Sequence, residues 1–161
     1  KTILKNPLPF SYAIHMLEHY YDPFHKSLNK QIMYLSNIFG FCFHIDLHTM
    51  PSKALLNFKK EPDIVLGDNF GKSCSSELLN YFQNVFKENG FTVETNNPYA
   101  GGFITRNYGN PSQGVHTIQI EINRKIYMDE NKLSLKDIKI LQEIFAKIFN
   151  NLELSEKIAA E

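Results

Sequence analysis

Residues 115–122, VHTIQIEI, constrain this chain more than any other stretch. They alternate too regularly for a helix, and a strand's side chains point to opposite faces with a period of two. Ile118, Ile120 and Ile122 therefore share one face with His116. Thr117, Gln119, Glu121 and the following Asn123 share the other. A carboxylate held in an aliphatic strand is costly to bury unless it has a partner or a task. Burial would raise its pKa toward the range useful to a general base. The pattern equally fits a face left open to water. In either case His116 points away from Glu121.

A second stretch repeats the pattern. In FHIDLHTMP (43–51), Phe43, Ile45 and Leu47 alternate with His44, Asp46 and His48. Imidazoles two or four residues apart on a strand can face the same way. A histidine at a strand end beside a turn is well placed for a metal at the sheet edge. Asp46 could orient such an imidazole. The spacing alone also allows a hydrogen-bonded polar face with no metal.

Helices fill the intervals. Leu28, Ile32, Leu35 and Phe39 recur at helical spacing after Asp22-Pro23, and Gly40 is the expected stop. Leu78, Leu79, Phe82, Val85 and Phe86 form one stripe over 75–89. Ile138, Leu141, Phe145 and Ile148 predict the inner face of a last helix over about 135–151, with Ser134 and Asp137 resembling a capping box. DIVLGD (63–68) and FTVET (91–95) are expected strands, FITRNYG (103–109) another, and 51–62 a loop. Residues 10–21 are weakly helical. This order predicts one α/β domain over 1–161, with helices packed on a mostly parallel or mixed sheet.

Composition narrows the function classes. With 43% apolar residues, a chain of 161 can bury a real core. Its 17 basic and 17 acidic side chains give no reason to expect nucleic acid or an anionic membrane as partner. No apolar run nears the ~20 residues that span a bilayer. Cys42 and Cys74 are expected to be free thiols in a reducing compartment, the cytoplasm.

Other candidates follow from single motifs. In YAGGFITRNYGNP (99–111), two adjacent glycines permit close backbone approach to a ligand, and the Arg106 fork suits a small carboxylate. A hairpin with an exposed arginine fits the same residues. His15 and His19 have metal-compatible spacing, but HMLEH is not HExxH, so both are expected to be surface or packing residues. His25 is expected to be structural.

Four segments in order, YYDPFHKSL, FGFCFHIDLHTMPS, PDIVLGDNFGKSC and ENGFTVETNNPYAGGFITRNYGNPSQGVHTIQIEINRKIYMDE, resemble the N-formylglutamate amidohydrolase family. The resemblance covers about Tyr20 to Glu130 and is most specific from Asn97 to Met128. It implies a three-layer α/β/α sandwich around a mixed sheet, akin to the zinc carboxypeptidases and aspartoacylase-type deacylases. It implies zinc as cofactor, His48 as a ligand, and Glu121 as general base. The expected substrate is a small N-acyl, above all N-formyl, amino acid such as N-formylglutamate. Arg106 would hold its carboxylate and Asp46 would orient His48. That family takes a further His and Glu ligand, and an Asn-Arg pair for substrate, from an earlier segment. No His-x-x-Glu in a strand–turn setting and no Asn-Arg pair precede His48 here. The chain is thus expected to match the C-terminal part of the family domain, with an upstream segment or second chain completing the site. Two alternatives stand beside this: a non-catalytic small-ligand-binding relative with an incomplete metal site, and a zinc exopeptidase or cell-wall amidase.

Overall fold

A computed structural model describes residues 6–55 and 59–152. Residues 56–58 of the expected 51–62 loop lie outside the described residues. Around four strands run α1 (Phe10–Met16), a π-helical turn, α2 (Asp22–Phe39), β1 (Cys42–Met50), β2 (Ile64–Gly67), α3 (Ser76–Glu88), β3 (Val93–Thr95), α4 (Phe103–Tyr108) and β4 (Val115–Asn123). A two-stranded ribbon, β5 (Met128–Asp129) and β6 (Ser134–Leu135), precedes α5 (Lys139–Leu152).

The sheet order is β1-β4-β2-β3. β1 lies parallel to β4, β2 antiparallel to β4, and β2 parallel to β3, so the sheet is mixed. The isoleucine-rich strand is central, as its burial pattern requires. Gly40, at φ 79°, ends α2 and turns the chain directly into β1.

Each sheet face carries its own layer. Ile118, Ile120 and Ile122 pack with Ile64 and Leu66 against Leu78, Phe82 and Phe86 of α3 and Leu141, Ile144 and Ile148 of α5. The Ser75 hydroxyl caps α3 by accepting from the Leu78 N–H. On the other face α2 contributes Ile32, which packs on Cys42 and Tyr108. The result is helices on both sides of a mixed sheet. β1 forms one edge, flanked by the exposed Leu35 and Phe39 of α2. No helix among the described residues is long and apolar enough to cross a membrane.

Two expected elements differ. FITRNYG forms α4, not a strand. Its β-branched residues suggested extension, but Thr105 and Tyr108, three apart, are the ones the tertiary structure buries, a helical spacing. The last helix begins at Lys139, because Ser134 pairs with Asp129 in the ribbon instead of capping. Asp137 takes the Lys139 N–H at 2.9 Å. Ile138 consequently precedes α5, and Ile144 and Leu152 join Leu141 and Ile148 as its buried face.

Candidate functional site

The parallel register of β1 and β4 sets Asp46 opposite Gln119 and His48 opposite Glu121. Paired residues of a parallel ladder share a face, so the two polar stripes predicted separately merge into one. His44 pairs with Thr117 on the same face, nearer the strands' N-terminal ends.

At the C-terminal ends three groups meet. His48 Nε2 lies 2.9 Å from Asp46 Oδ1, and His48 Nδ1 lies 3.9 Å from Glu121 Oε1. With Asp46 accepting from Nε2–H, the Nδ1 lone pair is turned toward the Glu121 carboxylate. The imidazole is about half exposed, while Glu121 is buried. Burial pushes the Glu121 carboxyl above the ordinary carboxylate range, against the pull of His48 and the Gln119 hydrogen bond; the Asp46 charge adds to the rise.

The two Glu121 oxygens differ. Oε1 accepts from Gln119 Nε2 at 2.9 Å. Oε2 is buried with no hydrogen-bond partner. A bare, buried carboxylate oxygen is rare in a folded protein and points to a group that belongs there.

Gln119 is a participant the sequence did not single out beyond its face. Its Oε1 accepts from the Gly102 N–H at 2.7 Å. The adjacent glycines therefore serve the protein's own packing. A Cβ on Gly101 (φ 109°) would strike Thr105 at 2.7 Å, and one on Gly67 would lie 2.6 Å from Gly101 N. The alternation that put Gln119 beside Glu121 was the available sign; the Gly102 contact spans 17 residues and has none.

Arg106 is exposed on α4, with Nη1 donating to Gly101 O at 3.2 Å. It is tied to the turn that holds Gln119. His44 belongs to a neighbouring cluster: its Nδ1 is 3.5 Å from Thr117 Oγ1, and its ring meets Tyr108 edge-on. The Tyr108 hydroxyl lies 2.6 Å from His25 Nδ1, which gives His25 a structural contact between α2 and α4. His15 and His19 meet on the exposed α1 side as a tilted ring pair, centroids 3.9 Å apart. Cys42 and Cys74 are both free and buried, and burial pushes the Cys74 thiol up to about 12.

For a metal, His48 is the donor that fits. Its imidazole is accessible, oriented by a carboxylate, and set beside the buried Glu121 carboxylate. Among the described residues no group of three or more His, Cys, Asp or Glu side chains is placed to hold an ion. These residues fit part of a tetrahedral set.

Comparison with known proteins gives consistent results. Residues 1–128 match the family model described as N-formylglutamate amidohydrolase. An N-formylglutamate deformylase of Pseudomonas putida is 34% identical over 118 residues, which is 72% of this chain and 44% of that protein. The N-formylglutamate deformylase of Pseudomonas aeruginosa is 34% identical over 112 residues, covering 68% and 42%. The crystal structure of an N-formylglutamate amidohydrolase from Ralstonia eutropha superposes with a TM-score of 0.83 at 27% identity, over 97% of this chain and 57% of that one. The chain thus spans less than half the length of the curated relatives it matches.

Proposed function

We propose a function from one premise: the chain belongs to the N-formylglutamate amidohydrolase family. It carries the general-base half of a hydrolytic site that cleaves the linear amide of an N-formyl amino acid, N-formylglutamate, to formate and the free amino acid. The observation that carries this reading is Glu121, a buried carboxylate whose Oε1 is fixed by Gln119 and lies 3.9 Å from His48 Nδ1, while Oε2 has no hydrogen-bond partner.

Each residue then has a task. The Glu121 carboxylate takes a proton from the water that attacks the formyl carbon, and returns it to the departing amine nitrogen as the C–N bond breaks. Its raised pKa brings it closer to neutrality, where accepting and returning a proton are both efficient. Asp46 holds the His48 ring through Nε2, so that Nδ1 is presented to the site. Arg106 meets a substrate carboxylate with its free guanidinium edge. His48 would provide one donor to zinc, which when bound supplies Lewis-acid polarisation.

Glu121→Gln in an active form of the enzyme is the test. Turnover of N-formylglutamate should fall roughly 10²-fold or more, with substrate binding nearly intact. Full turnover would remove Glu121 from the mechanism. The second reading, a ligand-binding relative without catalysis, rests on the single imidazole donor found beside Glu121 among the described residues. It predicts saturable binding of N-formylglutamate with no release of formate.

A further inference from the structure

The general-base reading leaves open what aims the carboxylate, and the hydrogen bonds around Gln119 answer that. Its side-chain amide has one acceptor end and one donor end, and the protein fixes which is which. The Gly102 N–H can only donate, so it selects Oε1. The –NH₂ group must then face Glu121, where it donates to Oε1 at 2.9 Å. Gln119 is 5% exposed, so water does not compete for these contacts. A carboxylate pinned at one oxygen by a buried donor has its other oxygen directed by the geometry of the pin.

The anchor is rigid. The turn before Gly102 is pressed against Gly67, a β2 residue whose register partner is Gln119 itself. It is held further by the Asn69 N–H on Ala100 O at 2.7 Å and by Arg106 Nη1 on Gly101 O. Consecutive hydrogen bonds thus run from the 100–102 turn through Gln119 to Glu121, and Arg106 leans on the same turn.

We propose that Gln119 is a positioning residue: anchored on the Gly102 N–H, it holds Glu121 Oε1 and so fixes the rotation of the carboxylate beside His48. The proposal rests on Glu121 being the base. It explains why a buried glutamine sits two residues from the carboxylate, and why two glycines precede α4. Gln119 moves no proton; without it the carboxylate can rotate about its terminal torsion, which is broad and two-fold.

The test combines spectroscopy and kinetics. In the ¹⁵N-labelled chain, one Gln119 side-chain proton and the Gly102 amide proton should exchange slowly. Gln119→Met keeps length and volume while removing both contacts, and should speed Gly102 exchange by about 10-fold or more. Glu121→Ala should release the Gln119 side-chain proton but leave Gly102 protected. In an active form, Gln119→Met should lower kcat by about 10- to 100-fold with KM little changed. A merely structural glutamine would not split kcat from KM. Wild-type kcat in Gln119→Met, or a Gly102 amide that exchanges freely in the unsubstituted protein, overturns the proposal; the second measurement needs no variant to fold. If Glu121→Gln keeps full turnover, the base assignment fails while the exchange pattern still reports the relay. If Glu121→Gln is inactive and Gln119→Met is not, only the positioning role falls.

Discussion

Gly67→Ala adds a single methyl group and probes how the site is supported from behind. Gly67 ends β2 in an ordinary strand conformation, so alanine meets no backbone penalty there. The obstacle is steric. The new Cβ would sit 2.6 Å from Gly101 N, 2.8 Å from Ala100 C and 3.1 Å from Gly101 Cα. Non-bonded contacts involving carbon settle near 3.5 Å, so the gap is short by about 0.9 Å. All three obstacles are backbone, which cannot rotate aside as a side chain would. Neither party yields easily: β2 is paired on both sides, and the turn is tied to Asn69 and Gln119. Overpacking of this kind costs about 1–3 kcal/mol. For a domain of this size, each kcal/mol lowers the melting temperature by about 2–4 °C. Thermal unfolding followed by circular dichroism gives the shift, and urea unfolding gives the free energy. Because the turn can move only away from β2, the Gly102 N–H should leave Gln119 Oε1, and its exchange should quicken together with the loss of stability. A melting temperature within about 1 °C of the parent, with Gly102 still protected, would refute the close packing that the reasoning rests on.

Other perturbations test other parts. Arg106→Lys keeps the charge but loses the fork, so KM for N-formylglutamate should rise with kcat less affected; equal kinetics for Arg106→Lys, Arg106→Ala and the parent would make Arg106 a surface charge. Calorimetric titration of the 161-residue chain with zinc should show weak binding, because a single imidazole does not close a tetrahedral site; tight one-to-one binding would require donors beyond His48. Burial holds His116 and His44 below the ordinary histidine value of 6.5, and His116 Nδ1 accepts the Ser75 N–H only when unprotonated. The unfolded chain therefore takes up protons first, and the stability these residues contribute is present above pH 6.5 and lost as pH falls below it. Urea unfolding at descending pH should show this decline, and His116→Asn should flatten it; parallel curves would place the effect elsewhere. Asn123→Ala removes three contacts of a buried side chain, to Ser52 Oγ, Lys125 N and Pro62 O, and should cost about 1–3 kcal/mol by leaving the buried partner unsatisfied; a loss under about 0.5 kcal/mol would show that water replaces them.

Periodicity alone determined a great deal. Period-two alternation in 43–48 and 115–122 separated aliphatic from polar faces correctly, and it placed His116 away from Glu121. Period-3.6 stripes located α2 and α3, and the helix stop at Gly40 followed from its left-handed backbone. These are local properties, fixed by the geometry of a chain two or four residues long. Tertiary structure decided what local pattern cannot carry. That β1 pairs with β4 across 73 residues, in the one register that sets His48 against Glu121, depends on the whole sheet. The helix over 103–108 depends on burying Thr105 and Tyr108 together, against the extended preference of its β-branched residues. The bare oxygen of Glu121 depends on Gln119, and Gln119 on a backbone N–H supplied from another element. Sequence pattern records which face a side chain takes; only the folded chain determines which groups are left to meet it there.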